Sequence, residues 1–200
     1  MLGLFDIDGP LFTLLNRIAS MFILNMLFLI SCLPIFTIGA AVTALTRVSI
    51  NSITDAHLSV TKEYIKVFKE NFKDSTALFF IDILIVLLFM LTFYYIGGLH
   101  LFIKVLLLLI GGTMLLYLLY PLVLQGVFKN SLKRTMKNSL IFSLKYVAES
   151  ILMFIEGLVI LILLPLFIPK SILLVGCFGF AAMAYLQAFT YKKIFSDFIE

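Results

Sequence analysis

Three strongly polar residues lie inside otherwise apolar stretches of the chain, and they are its first candidates for chemistry. Asn25, Asp82 and Glu156 each stand in a run of Leu, Ile, Met and Phe. A carboxylate at mid-helix in a bilayer costs about 2.5–3.5 kcal/mol on insertion scales, so such residues usually face protein or water. We interpret the three, with Arg17 and Arg47 as counter-charges, as a candidate intramembrane polar centre. Polar contacts that only hold helices together are the other interpretation, and the commoner situation.

A second set of charges is cationic and lies between the apolar runs. In residues 54–74, lysines recur four, three and four residues apart, beside a face that carries Ile65, Phe68 and Phe72. This spacing predicts an amphipathic helix with a basic side. Residues 126–146 are also basic and contain no acid. The candidates for contact with the membrane surface or for docking a partner are Lys62, Lys66, Lys69, Lys73, Lys133, Arg134 and Lys137.

The sequence lacks the common motifs of enzymes and metal sites. It has no Gly-rich phosphate loop, no dinucleotide-binding turn and no H-E-x-x-H zinc motif. Cys32 and Cys177 are not spaced as metal ligands, and His57 and His100 fall on opposite sides of the membrane in the topology given below. We therefore expect a non-enzymatic protein with no catalytic residue, metal or cofactor.

The composition places these residues in a membrane. Of 200 residues, 62% are hydrophobic and 13% are charged, whereas a soluble domain is roughly 45–50% apolar. We expect one integral membrane domain over residues 1–200, with lipid as its main partner. The net charge of +4 comes from basic residues that flank apolar runs, which does not indicate nucleic-acid binding. Because the first 16 residues contain no Lys or Arg, we expect no cleaved signal peptide.

The apolar runs predict an all-α polytopic protein built from three helical hairpins, at about 11–53, 75–125 and 147–191. The hairpins are joined by loops at about 54–74 and 126–146. Six transmembrane helices are preferred, and five are the alternative because the second helix is unusually polar. The excess of Lys and Arg in the two loops predicts that they are cytoplasmic. With six helices, the C-terminus of this multi-pass protein is cytoplasmic too.

An internal repeat supports the three hairpins. An offset of 74 residues aligns Asp82 with Glu156, and an offset of 57 aligns Asn25 with Asp82. Small residues also recur at comparable places in the three partner helices, where they would allow helix backbones to approach closely.

Residues 33–45, which read LPIFTIGAAVTAL, resemble the YesL-like family of bacterial integral membrane proteins. Shorter matching pieces are Gly3-Leu4-Phe5, Asn16-Arg17, Leu24-Asn25 and residues 68–73. The resemblance covers the whole chain, but its specific motifs lie in the first 75 residues, and it supplies no catalytic residues. Such proteins are encoded mostly in Gram-positive bacteria, often beside carbohydrate ABC importers and two-component regulators. The resemblance therefore implies a bacterial plasma-membrane protein linked to sugar uptake.

Two hypotheses for function remain. The first is an accessory protein that binds or regulates a carbohydrate ABC importer or its sensor kinase. The alternative is a small transporter or channel with a polar site between hairpins. Because 200 residues make a thin wall around a pore, the alternative favours a homodimer.

Overall fold

The computed structural model describes residues 10–55, 58–94, 100–128 and 130–198. Within these ranges the chain is helical throughout apart from short turns, and six helices are long and apolar enough to cross a membrane. The prediction of an all-α protein with six such helices is confirmed. The sequence also predicts turns at Asp8-Gly9-Pro10 and at Gly97-Gly98-Leu99-His100, and both lie mostly outside the described residues.

The first hairpin reverses over a few residues after Ser31. Helix α1 spans Pro10–Ser31, a short 3-10 turn spans Ile35–Thr37, and α2 spans Ile38–Thr54. The Thr37 hydroxyl donates to the carbonyls of Ser31 and Pro34. This side chain therefore ties the end of α1 to the start of α2.

The second hairpin departs from the predicted boundaries. Helix α3 runs without interruption over Val60–Tyr94, so the predicted loop at 54–74 is mostly the first half of this helix. Residues 60–94 contain no Gly or Pro that could end the helix. The second membrane span of this hairpin is interrupted instead. It consists of two helices, α4 (Leu101–Tyr117) and α5 (Pro121–Val127). Pro121 explains the break because it lacks the N–H that a continuous helix needs.

The third hairpin contains two wide π-helical turns. The predicted loop at 126–146 mostly forms a helix, α6. Only Tyr146 separates α6 from α7. The π turns span Val159–Leu163 and Val175–Gly179. The helices are α6 (Leu132–Lys145), α7 (Val147–Leu158), α8 (Leu164–Phe167), α9 (Ile172–Leu174) and α10 (Phe180–Phe195).

Helix α2 lies at the centre of the molecule. It packs against α1, α3, α5 and α10. In the membrane span that contains α2, 61% of the residues are buried, whereas 11–33% are buried in the other five candidate spans. Its polarity therefore has a structural cause, since Thr43, Thr46 and Ser49 are buried against protein. The other helices expose large apolar side chains, such as Phe102 and Leu173 at about four-fifths, which is expected when lipid is the solvent.

Candidate functional site

The contact between α2 and α3 is the most extensive helix packing among the described residues. The two helices run antiparallel, with Asn51 donating to Glu63 at one end (3.2 Å) and Gly39 against Ser75 and Phe79 at the other. A Cβ on Gly39 would overlap the Ser75 carbonyl oxygen and approach the Phe79 Cβ to 2.7 Å. Glycine is therefore what lets the backbones meet here.

A buried hydroxyl pair joins α2, α3 and α5. The Thr43 hydroxyl lies 2.9 Å from Ser75 Oγ and 3.1 Å from the Leu122 carbonyl oxygen, and both hydroxyl side chains are fully buried. Leu122 lies in the first turn of α5, just after the Pro121 break. These contacts fix the broken span against the central helix.

Gln125 joins α5 to two further helices. Its amide oxygen accepts from the Thr135 hydroxyl of α6 at 2.8 Å, and its amide nitrogen lies 3.4 Å from Asp74 Oδ2 of α3. Gln125 and Thr135 are both buried. The start of α6 is thus held to the bundle by a satisfied polar contact.

Two tyrosines stabilise the region of the α4–α5 break. Tyr191 of α10 donates to the Leu119 carbonyl at 2.8 Å, which lies in the break. Tyr120 and Ser150 share a hydrogen bond of 2.7 Å between their hydroxyls. A broken helix in a membrane needs such partners because lipid offers none.

Asn25 binds the backbone of the second π turn. Its amide nitrogen donates to the Gly176 carbonyl at 2.7 Å, and its amide oxygen accepts from the Ala181 N–H at 3.1 Å. The carbonyl and the N–H are five residues apart, and the fully buried Asn25 side chain lies between them. This sequence candidate thus has a clear structural role, which joins α1 to the last membrane span.

Asp82 differs from Asn25 because its buried Oδ1 has no hydrogen-bond partner among the described residues. The side chain is 8% exposed. Tyr117 of α4 lies close enough to interact with it electrostatically, and the Tyr117 hydroxyl is buried and unpartnered too. Tyr117 also lines a cavity of about 230 Å³, together with Thr113 and Leu140 among others.

Glu156 is not brought to Asp82 by any described contact. It is half-buried, its Oε2 has no partner among the described residues, and it interacts electrostatically with Tyr191. The buried face of α3 (Val60, Tyr64, Val67, Asn71, Ser75, Leu78, Asp82) repeats in α6 and α7 at an offset of 75, as Thr135, Ser139, Phe142, Tyr146, Ser150, Met153 and Gly157. Asp82 therefore corresponds in packing to Gly157, one residue beyond Glu156.

The two arginines have no described contact with the acidic residues of the predicted centre. Arg47 interacts electrostatically with Glu63 of α3. Arg17 is exposed on α1 and lines a groove of about 390 Å³ together with Asp55. Neither arginine has a described contact with Asp82 or Glu156, so the structure distributes the five candidate residues over separate contacts.

The predicted cationic face of α3 is present as a row of exposed side chains. Lys62, Lys66, Lys69 and Lys73 are all exposed, and we call this row the α3 lysine stripe. Lys66 lies 3.8 Å from Glu63, while the other three make no ion pair with the described residues. On α6, Lys133, Arg134 and Lys137 are exposed as well.

The described residues contain no group of three or more His, Cys, Asp or Glu side chains that could hold a metal ion. Two apolar clefts elsewhere on the described surface are larger than the cavity beside Tyr117. One of about 460 Å³ between α3 and α4 is lined by Ile85, Phe89 and Met114 among others.

Residues 21–95 match the model of a family described as "Protein of unknown function, DUF624". The resemblance to the YesL-like family is consistent with this family and is confirmed at that level. No curated protein and no solved structure matches the chain. The DUF624 match extends from α1 to the end of α3, so it contains Asn25, Gly39, Thr43, Ser75 and Asp82.

Several residues of this polar framework are not evident from the sequence. Thr43, Ser75, Gln125 and Thr135 lie in stretches that look like an ordinary weak span or loop. Their partners are 10 to 79 residues away along the chain, so no local spacing indicates them. The available signal was the unusual polarity of α2, which indicates a helix surrounded by protein.

Proposed function

We propose that this chain is a non-enzymatic accessory protein of bacterial carbohydrate import, and that it binds its partner through the α3 lysine stripe. The partner is a subunit of an ABC importer or its sensor kinase. The observation that carries the proposal is the stripe itself, in which three of four exposed lysines have no described acidic partner. The link to sugar uptake comes from the YesL-like resemblance.

The ordered helix that carries the stripe supports this proposal. Its lysines lie on the exposed side of a helical segment whose other side is buried. Tyr64 and Val67 belong to the core cluster that includes α2, and Ser75 bonds to Thr43 of α2. A partner therefore meets charges whose backbone is already ordered, which lowers the entropy cost of association. An acidic surface with matching spacing would be steered to it electrostatically.

The test is site-specific photocrosslinking in native membranes. A photoreactive residue at Lys69 should capture an importer subunit or a sensor kinase, identified by mass spectrometry. The triple variant Lys62→Glu, Lys69→Glu, Lys73→Glu should lose most of this capture. Capture of neither class of protein would contradict the proposal.

The matched control reverses charge on α6. Lys133→Glu with Lys137→Glu changes exposed cations on a different helix, and it should leave capture at position 69 nearly unchanged. If both variants reduce capture equally, general attraction to acidic surfaces is responsible and the stripe has no specific role.

A second candidate function is a small transporter or channel. Asp82 and the nearby Tyr117 favour it, because each has a buried oxygen with no hydrogen-bond partner among the described residues. An ionisable residue inside a membrane protein is often part of an ion or proton path. The test is transport into liposomes that contain the purified protein. Uptake of a sugar or an ion that Asp82→Asn abolishes would support it, and the absence of any uptake would exclude it.

A further inference from the structure

A groove beside α6 combines basic, amide and aromatic side chains. It has a volume of about 520 Å³ and lies between the α5–α6 connection, α6 and the C-terminal turn at Ser196–Phe198. One part of its lining is polar and the other is apolar. We refer to it as the α6 groove.

The polar part of the α6 groove is suited to an anion. Arg134 and Lys145 contribute two cations, Asn130 and Asn138 contribute amides, and its described lining contains no acid. Arg134 is exposed and has no ion pair with the described residues. The Lys145 ammonium lies 5.4 Å from the ring centre of Phe198 and 5.0 Å from that of Tyr146.

The apolar part of the α6 groove continues into an exposed apolar surface of α6. Phe142 and Phe198 form its aromatic wall, with ring centres 5.2 Å apart. Ile141 also lines the groove and is 47% exposed, next to exposed Leu140 and Leu144 on α6. An occupant with an acyl chain can therefore leave the groove directly onto apolar protein surface.

We propose that the α6 groove binds one anionic phospholipid. Arg134 and Lys145 hold the phosphate, the two asparagines donate to its oxygens or to the headgroup, and the acyl chains lie along Ile141 and Phe142. A soluble phosphate would use only the polar part of the groove. The continuous apolar surface of α6 is what favours a lipid over a free anion or an acidic protein.

This inference does not depend on the proposed partner of the α3 lysine stripe. The two sites lie on different helices and use no residue in common. Loss of lipid binding in an α6 variant should therefore leave photocrosslinking at Lys69 intact.

Native mass spectrometry of the detergent-purified chain tests the proposal. Titration with phosphatidylglycerol should show one tightly bound lipid, and phosphatidylcholine should bind more weakly at this position. The double variant Arg134→Gln, Lys145→Gln should weaken phosphatidylglycerol binding about 25-fold, taking about fivefold for each basic residue at an anionic surface. Its matched control is Lys62→Gln with Lys69→Gln, two exposed cations of α3 that should change little.

Three results would overturn the proposal. The first is an equal loss of lipid binding in the α3 control. The second is equal affinity for the two lipids. The third is competition by inorganic phosphate or glycerol phosphate at the affinity of the lipid, which would show that the groove binds a free anion.

A second variant covers the case in which the double variant does not fold. Asn138→Asp adds one negative charge to the groove at a half-exposed position. It should weaken phosphatidylglycerol binding at an unchanged melting temperature. Unchanged lipid binding in a folded Asn138→Asp protein would contradict the assignment of the phosphate to this part of the groove.

Discussion

Asn25 illustrates how a single side chain can compensate for an irregular helix inside a membrane. Its amide serves the Gly176 carbonyl and the Ala181 N–H. Neither group has water as an alternative partner in the bilayer, so losing the amide leaves buried polar groups unpaired.

We predict that Asn25→Leu destabilises the protein by about 1–3 kcal/mol, the usual cost of unpaired buried groups. Thermal unfolding in detergent provides the measurement. Asn16→Leu is the control because Asn16 is exposed on the same helix and should change stability little. Equal effects of the two variants would show that the bridge to the π turn contributes nothing.

Asp82 leads to the opposite expectation. Its buried Oδ1 has no hydrogen-bond partner among the described residues, so replacing Asp82 removes a desolvation cost and breaks no described bond. We predict that Asp82→Leu raises thermal stability by up to about 1–3 kcal/mol. Asp82→Asn should change it less, since the amide remains polar and buried.

Unfolding of detergent-purified variants checks this prediction, with the neighbouring and partly exposed Ile83→Leu as a control near zero. A clear loss of stability in Asp82→Leu would mean that Asp82 makes an important interaction. A gain in stability, together with a loss of physiological function, would indicate a residue kept for its chemistry.

At the scale of elements, the contact between α2 and α3 depends on Gly39. An alanine there would press its Cβ against the Ser75 carbonyl and the Phe79 Cβ. Backbone atoms cannot move aside cheaply, so we predict that Gly39→Ala costs about 1–3 kcal/mol of stability.

Gly112→Ala is the matched control for this substitution. Gly112 is also helical, but a Cβ added there meets nothing within 4 Å. Because alanine is the better helix former, Gly112→Ala should stabilise by up to about 1 kcal/mol. Opposite signs of the two changes in unfolding experiments are the expected result, and a loss in both would deny Gly39 a special role.

The elements themselves were largely predictable from the sequence, and their ends were less so. Long apolar runs indicate membrane helices directly, as they do for α1 and α4. The change from charged to apolar residues near Ser75 suggested a boundary, yet α3 passes through it. A helix that passes from water into lipid changes from charged to apolar residues, but its backbone hydrogen bonds continue without a break.

The candidate site was predictable only in part. Asn25 stood out because it is polar in an apolar run, and the structure gives it two partners. The grouping of Asp82 with Glu156 rested on an offset of 74, whereas the buried faces match at 75. One residue rotates a position by about 100° around a helix, so Asp82 and Glu156 do not hold equivalent positions on the two buried faces.

At the scale of the whole molecule, the basic residues predict the orientation in the membrane. We expect a single cysteine at Lys69 or Lys133 to react only with reagents applied from the cytoplasm, and one at His100 to react from outside. Cys32 and Cys177 are first replaced by alanine, since both are partly exposed. Reaction of position 133 in intact cells would reverse the orientation.

The central position of α2 also has a consequence for how the protein is made. The membrane span that contains α2 has a mean hydropathy of 1.2, against 1.7–2.6 for the other candidate spans. Of the six, α2 therefore partitions into lipid least readily as it leaves the ribosome. Part of its final surroundings is α10, whose Ala181 and Ala184 share a core cluster with Ala41 and Ala44. That partner is translated more than a hundred residues later. Until then α2 must be sheltered by α3 or by the insertion machinery, so biogenesis of this chain is completed by its last helix.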